Sequence, residues 1–411
     1  MNSTQLRTYK QGAIAVDSHG KIIKVGPGDF IKEKFPHAKI NDCGQNLIMP
    51  GFIDTHTHFP QMDMIGSYGK ELLDWLETYT YPEEAQFNDQ LKSRRVARRF
   101  FNELFQNGTT TAAIYSSPYA LSTHELFSAA KSLGARAIIG KVHMNCRVPE
   151  NFQVSCKVDI EETEQLITEW HNLEDRLHYA ITPRFAPVCT EELLELLGQL
   201  RAKYPGVYVQ THFAENQKEI EWVAGLFPND KSYLSIYERY NLLGDKTILG
   251  HGIYPTELEF ELLKSTNSKI SHCPTSNLFL GSGLFPLKKY IQNNITVGLA
   301  TDIGAGTSFS LWQTMNEAYK IQKLQGNPIS PAYLLYLATL GAAETLAMKD
   351  KIGSFEPGKY ADFQVINWRN HRLIREKFDD RSPEENLFAL ITMGDDRLVD
   401  STWINGKKVS L

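Results

Sequence analysis

Asp54-Thr55-His56-Thr57-His58 is the segment of this chain whose residue types and spacing point most directly to chemistry. In an extended strand, residues two apart face the same side, so His56 and His58 can aim one imidazole each at a common point. His212, His251 and Asp302 close apolar runs in a similar way, after Val207-Tyr208-Val209-Gln210-Thr211, Ile248-Leu249-Gly250 and Val297-Gly298-Leu299-Ala300-Thr301. Imidazole nitrogen and carboxylate oxygen suit a borderline cation such as Zn2+, held by three or four protein ligands with one position left for water. Such a site would be catalytic. Glu215, three residues past His212, could move a proton beside the ion. The same residue also reads as an acid in a helix first turn, favoured there by the dipole.

Thr182-Pro183-Arg184-Phe185-Ala186-Pro187 offers a second kind of chemistry. The planar fork of Arg184 can donate two hydrogen bonds to carbonyl and ring acceptors, with Phe185 as an aromatic wall. An arginine flanked by prolines also fits a surface loop. His272 could bond a ligand or fix its own loop, and Cys273 has no cation but His272 nearby to make it a nucleophile. His19, His37, His124, His171, His178 and His371 lie in turns or helical stretches, where a solvated or hydrogen-bonded imidazole is expected.

The elements that must position these residues follow from periodicity. Strand-like runs span 52–55, 109–115, 137–144, 178–182, 207–212, 247–251, 269–272 and 296–301, separated by amphipathic stretches. One is 190–203, with an apolar stripe of Leu193, Leu194, Leu196, Leu197 and Leu200 and an N-terminal signal at Thr190. Eight β units alternating with helices predict a (β/α)8 TIM barrel, whose active site lies at the carboxyl ends of the strands, where the candidates fall. A doubly wound sheet would carry a Gly-rich phosphate turn after an early strand, and none is present. Residues 1–49 read as a hairpin (Ala13–Val16, Lys21–Val25) and irregular chain, and 352–411 as short strands over 360–366, 387–393 and 399–404. The expected organisation is a barrel over 50–351 and one small β-sandwich domain assembled from 1–49 and 352–411.

Composition narrows the class. The 411 residues carry a net charge of -5, with 22% charged and 42% hydrophobic residues, which is globular and gives no electrostatic case for nucleic acid or anionic membrane as partner. Five scattered cysteines without a CxxC pair indicate neither a disulfide framework nor a thiolate metal site. The start, MNSTQLRTYKQG, lacks an apolar leader segment, and no run approaches the ~20 apolar residues of a membrane span. A cytoplasmic protein is expected.

The chain resembles the amidohydrolase superfamily. The resemblance rests on Pro50-Gly51-Phe52-Ile53-Asp54-Thr55-His56-Thr57-His58 and on Gly353-Ser354-Phe355-Glu356-Pro357-Gly358-Lys359-Tyr360-Ala361-Asp362-Phe363. A narrower likeness to its guanine-deaminating members rests on Gln61, Leu73-Asp74-Trp75-Leu76 with Tyr81-Pro82-Glu83, the Arg184 and Glu215 segments, His272-Cys273-Pro274-Thr275-Ser276-Asn277-Leu278 and Thr301-Asp302-Ile303-Gly304. The resemblance implies that His56, His58, His212 and Asp302 hold one zinc ion per chain, with iron suited to the same ligand types. It implies that His251 touches the metal or the attacking water, that Glu215 shuttles the proton, and that Gln61, Arg184, Phe185 and His212 line a purine pocket partly covered by Trp75. The implied reaction is hydrolytic deamination of guanine to xanthine and ammonia, in a homodimer with a small-molecule partner only. Pterin, cytosine, adenosine-derivative or triazine substrates are the alternatives within the branch. A non-catalytic barrel scaffold would show an eroded ligand set, whereas here the set is intact. Lys141 could suggest a binuclear site, but it sits mid-strand, and the deaminase branch resembles mononuclear sites. Relatives carry more small-domain β structure before Gly12, where this chain has only residues 1–11.

Overall fold

A computed structural model describes residues 6–69, 71–378 and 381–410. The hairpin forms as expected: β1 (Gly12–Val16) pairs antiparallel with β2 (Ile22–Pro27). The barrel comprises β4 (Phe52–His58), β5 (Thr109–Tyr115), β6 (Arg136–Gly140), the short continuation β7 (Val142–His143), β8 (Leu177–Pro183), β9 (Tyr208–Phe213), β10 (Thr247–His251), β11 (Lys269–His272) and β12 (Val297–Leu299). These strands run parallel in sequence order from β4 to β12, with the run predicted over 137–144 divided into β6 and β7. Counting β6 and β7 as one staggered strand, this is the eight-stranded (β/α)8 architecture. The ring closes beyond β12, where Asp302 N donates to His56 O (2.9 Å) and His58 N to Ile303 O (3.0 Å). The closure itself therefore brings the aspartate onto the HxH pair.

The helices cover the barrel through their apolar faces. In helix Glu191–Lys203, the Thr190 side chain caps the start by accepting from Leu193 N, and Leu193, Leu194, Leu197 and Leu200 are buried, with Leu196 half-buried. A cap of this kind contributes ~1 kcal/mol.

The remaining strands, β3 (Leu47–Pro50), β13 (Phe363–Ile366), β14 (Val399–Ile404) and β15 (Lys407–Lys408), form a four-stranded antiparallel sheet drawn from both chain ends. Ile22, Phe363 and Val365 form a core between this sheet and the hairpin. One expectation is overturned: 387–393 is not a strand but the end of helix Pro383–Met393. The apolar density of Leu387-Phe388-Ala389-Leu390-Ile391 reads as strand. However, Ser382 and Glu385 form a capping box with Pro383 at the first helical position, and Phe388 packs edge-on against Tyr319 of helix Leu311–Leu324. No helix among the described residues is long and apolar enough to cross a membrane.

Candidate active site

Strand β4 delivers the first donors from an irregular stretch. Asp54 pairs with Ala112 and Thr57 with Ile114, so Thr55 and His56 together oppose one residue of β5. This is a bulge, which bends a strand end and re-aims its side chains. His56 Nε2 and His58 Nε2 lie 3.1 Å apart, His212 Nε2 is 3.2 Å from His58 Nε2, and Asp302 Oδ1 is 3.2 Å from both His56 Nε2 and His58 Nε2. Donor atoms of His56, His212, His251 and Asp302 all lie within 4.8 Å of one another. The cluster therefore has five members, four imidazoles and a carboxylate.

The backbone at this rim is strained. His251 and Asp302 are non-glycine residues with φ of 71° and 51°, in the left-handed region that concentrates at functional sites. Gly250 has no side chain for a different reason: a Cβ there would lie 2.7 Å from His56 Cε1.

Protonation follows from surroundings. Burial pushes His56 and His212 below the ordinary imidazole range and His58 down to about 3, leaving neutral rings with lone pairs. His212 Nδ1 lies 2.7 Å from the Arg184 carbonyl and His251 Nδ1 lies 2.9 Å from Asn277 Oδ1. Both acceptors place the proton on Nδ1 and leave Nε2 as the lone-pair atom facing the cluster. Burial pushes the Asp302 carboxyl up, but the adjacent His56, His58 and His251 rings outweigh it and hold the group well below the usual range. Lone pairs converging at these distances in a buried space, with His251 Nε2 lacking a hydrogen-bond partner, suit a single divalent cation.

Glu215 does not lie in a helix first turn. The helix is Gln217–Leu226, capped by Asn216, and its first-turn acid is Glu219. Glu219 Oε2 accepts from the backbone N–H groups of Glu215 and Asn216, freeing the Glu215 side chain for the cluster. Glu215 Oε2 is 3.4 Å from His251 Nε2, and burial pushes its carboxyl up to about 7. Burial alone would lower His251, yet the Glu215 and Asp302 carboxylates raise it above its ordinary value.

A cleft opens over the cluster. Gln61, Trp75, Arg184 and Phe185 line it together with His58, His212, Glu215, His251 and Asp302, while His56 lies beneath with its ring against Tyr115. The ten residues that the resemblance implies for the site are thus gathered at one end of the barrel. Arg184 is buried, not a surface-loop residue. Trp75 ends the short helix Leu72–Trp75, followed by a π-helical turn over Leu76–Thr80, a distortion frequent at functional sites.

Other candidates fall elsewhere. His272 stacks on Phe285 (4.1 Å between centroids), away from the cleft lining. Lys141 pairs with Asp159 and Glu162 of helix Cys156–Trp170, outside the metal cluster. All five cysteines are free, and burial pushes Cys273 well above the thiol range.

Some supporting residues escaped the sequence reading. Asp54 accepts from Thr301 N (3.0 Å), tying β4 to the segment that carries Asp302. Asn277 orients His251, and Glu84 bonds both Gln61 and Arg184. Asp54 and Asn277 stood inside quoted motifs, but their role depends on partners more than 20 residues away.

Comparison with known proteins places this geometry. Residues 47–409 match the amidohydrolase family. The chain is 40% identical to a guanine deaminase of Escherichia coli K12 over 409 residues, covering 99% of this chain and 93% of that one. A solved E. coli guanine deaminase superposes with a TM-score of 0.95 at 41% identity, over 97% of this chain and 92% of the other. A guanine deaminase from C. acetobutylicum with guanine bound in its active site superposes at 0.93 with 34% identity, over 99% and 97%.

Proposed function

This chain belongs to the amidohydrolase family and, within it, to the guanine deaminases, and we propose that the residues gathered at the rim of its barrel hydrolyse guanine to xanthine and ammonia. The observation that carries this reading is a single cleft with a lone-pair cluster on its floor, Glu215 beside it and a buried guanidinium in its wall.

We assign His56, His58, His212 and Asp302 as ligands of one zinc ion, with His251 beside it. Neutral imidazoles and an ionised carboxylate support the assignment, since metal ligands must be deprotonated. When bound, such an ion acidifies water at its open position and supplies a nucleophile at neutral pH. Arg184 donates to the carbonyl edge of the purine, Gln61 bonds its polar rim, and Phe185 and Trp75 wall its faces. These contacts hold C2 toward the cluster. His251 and Asp302 orient the attacking water. Glu215 accepts the water's proton as the C–O bond forms and delivers it to the ring nitrogen beside C2. Glu215 then takes the remaining proton from the new C2 hydroxyl and passes it to the amine, so that the C–N bond breaks with ammonia leaving as the C2 carbonyl of xanthine forms. A carboxyl raised to about 7 is matched to taking and giving protons near neutrality. A site built to bond the carbonyl leaves the ligand-facing N–H groups of Arg184 without an acceptor when that carbonyl is replaced, which disfavours amino-substituted analogues.

The same reading takes the protein as a cytoplasmic homodimer, with its barrel over 50–351 and its small domain from 1–49 and 352–411, helix Pro383–Met393 excepted. Sedimentation of the purified protein tests the dimer. The function is tested by incubating the metal-loaded protein with guanine and following loss of its ultraviolet absorbance and appearance of ammonia. Ammonia release from a pterin, cytosine or triazine with guanine untouched would overturn it.

A further inference from the structure

Helix Tyr81–Ala85 carries a buried carboxylate that the reaction steps above do not use. Glu84 is wholly inaccessible to solvent, and its two oxygens divide their work. Oε1 accepts from Gln61 Nε2 at 2.9 Å, and Oε2 accepts from Arg184 Nη1 at 2.7 Å. Tyr81, three residues earlier and so on the same helical face, lies with its ring centroid 5.7 Å from Arg184 Cζ. One turn of helix thus grips the guanidinium by charge and by an aromatic face.

The consequences for the two pocket residues are specific. Gln61 Oε1 accepts from Gly304 N at 3.1 Å while its Nε2 donates to Glu84. Flipping the amide would set oxygen against carboxylate and N–H against N–H, so these two bonds fix which way it faces. Arg184 has no acidic partner other than Glu84 among the described residues. With Nη1 committed there, its other N–H groups remain for a ligand in the cleft.

We propose that Glu84 is a positioning residue that sets substrate selectivity: by holding the Gln61 amide and the Arg184 fork in one arrangement, it makes the cleft read the C6 carbonyl of a 2-aminopurine. This inference rests on the proposed function and adds to it a residue that touches neither substrate nor metal. Glutamine in its place keeps an acceptor at only one of these two positions and sets an N–H donor against the other partner, so the paired arrangement is lost. Aspartate keeps the charge, but its stem is one methylene too short to serve both.

The test compares guanine with 2,6-diaminopurine, which keeps the reacting 2-amino group and replaces the C6 carbonyl by an amine. In Glu84→Gln, KM for guanine is expected to rise ~10- to 100-fold with kcat changed far less, and the kcat/KM preference for guanine over 2,6-diaminopurine to fall ~10-fold or more. Glu84→Asp should shift the preference in the same direction by ~3-fold or more, which keeps the test available if the glutamine variant does not fold. Bound metal per chain should stay at the wild-type value in both. Equal losses on both substrates, with the preference unchanged, would reduce Glu84 to a structural role and overturn the inference. Failure of the wild-type protein to turn over guanine would instead defeat the functional reading, so the two failures are distinguishable.

Discussion

Glu215 is the residue on which the proposed proton transfers turn, and its surroundings make a sharp prediction. Glutamine preserves its shape and its place between His251 and Ser282, whose hydroxyl donates to Glu215 Oε1 at 3.4 Å, but cannot carry a proton between water and ring nitrogen. Glu215→Gln should retain about one metal equivalent per chain and lose ~10²- to 10⁴-fold in kcat, measured by metal analysis and ammonia release on the same sample. Full activity would remove Glu215 from the mechanism. The ligands behave in the opposite sense. His212→Ala removes a lone pair from the centre of the cluster, so metal content itself should fall, and two equivalents in the wild-type protein would point to a binuclear centre. At this scale the candidates were legible because histidine and aspartate are recognisable by type and lie at strand ends. Glu215 was ambiguous because a carboxylate after a strand serves equally as a helix cap, and Glu219 occupies that role.

Elements decide whether those residues meet. Gly250 precedes His251 at the end of β10, and a Cβ there would press into the imidazole of His56. Gly250→Ala should therefore displace His56 and lower metal occupancy while far-ultraviolet circular dichroism stays unchanged. Intact occupancy would show that the ring can yield. Element boundaries were legible where the pattern is clean, as at 247–251 and 269–272, which match β10 and β11 residue for residue. They were not legible at 387–393, where apolar density alone suggested a strand and the start signal at Ser382 decided for a helix. The bulge in β4 was equally hidden, since a register shift leaves no mark on residue type.

The whole molecule carries an acid sensitivity remote from the cleft. His178 lies buried in strand β8 and not in the turn or helical stretch expected for it; burial lowers it to about 3 and His171 to about 4, and His171 Nδ1 accepts a hydrogen bond from Tyr179 N, which a protonated ring could not do. In the unfolded chain both rings protonate near pH 6.5. Between about pH 6.5 and about pH 4 the unfolded state therefore binds more protons, so stability rises with pH across that window and is lost as pH falls. Urea midpoints at pH 5, 6 and 7 should increase in that order, and His178→Gln should flatten the trend. No flattening would place the sensitivity elsewhere. Metal adds to stability at this scale as well, since an ion that binds only the folded state raises its population. Chelation should lower the melting temperature and abolish deamination, and added zinc should restore both.

The sequence by itself determined the barrel, the sheet assembled from both chain ends, the His and Asp cluster and the Arg184 and Glu215 segments. Each of these is written in residue type and local period, which a linear reading preserves. Only the tertiary structure decided that Glu215 turns inward, that Asn277 sets the tautomer of His251, that Asp54 anchors the Asp302 segment, and that Glu84 grips Arg184 across 100 positions. The reason is physical: a buried polar group must find a partner, and which partner comes within 3 Å depends on how distant strands and helices pack.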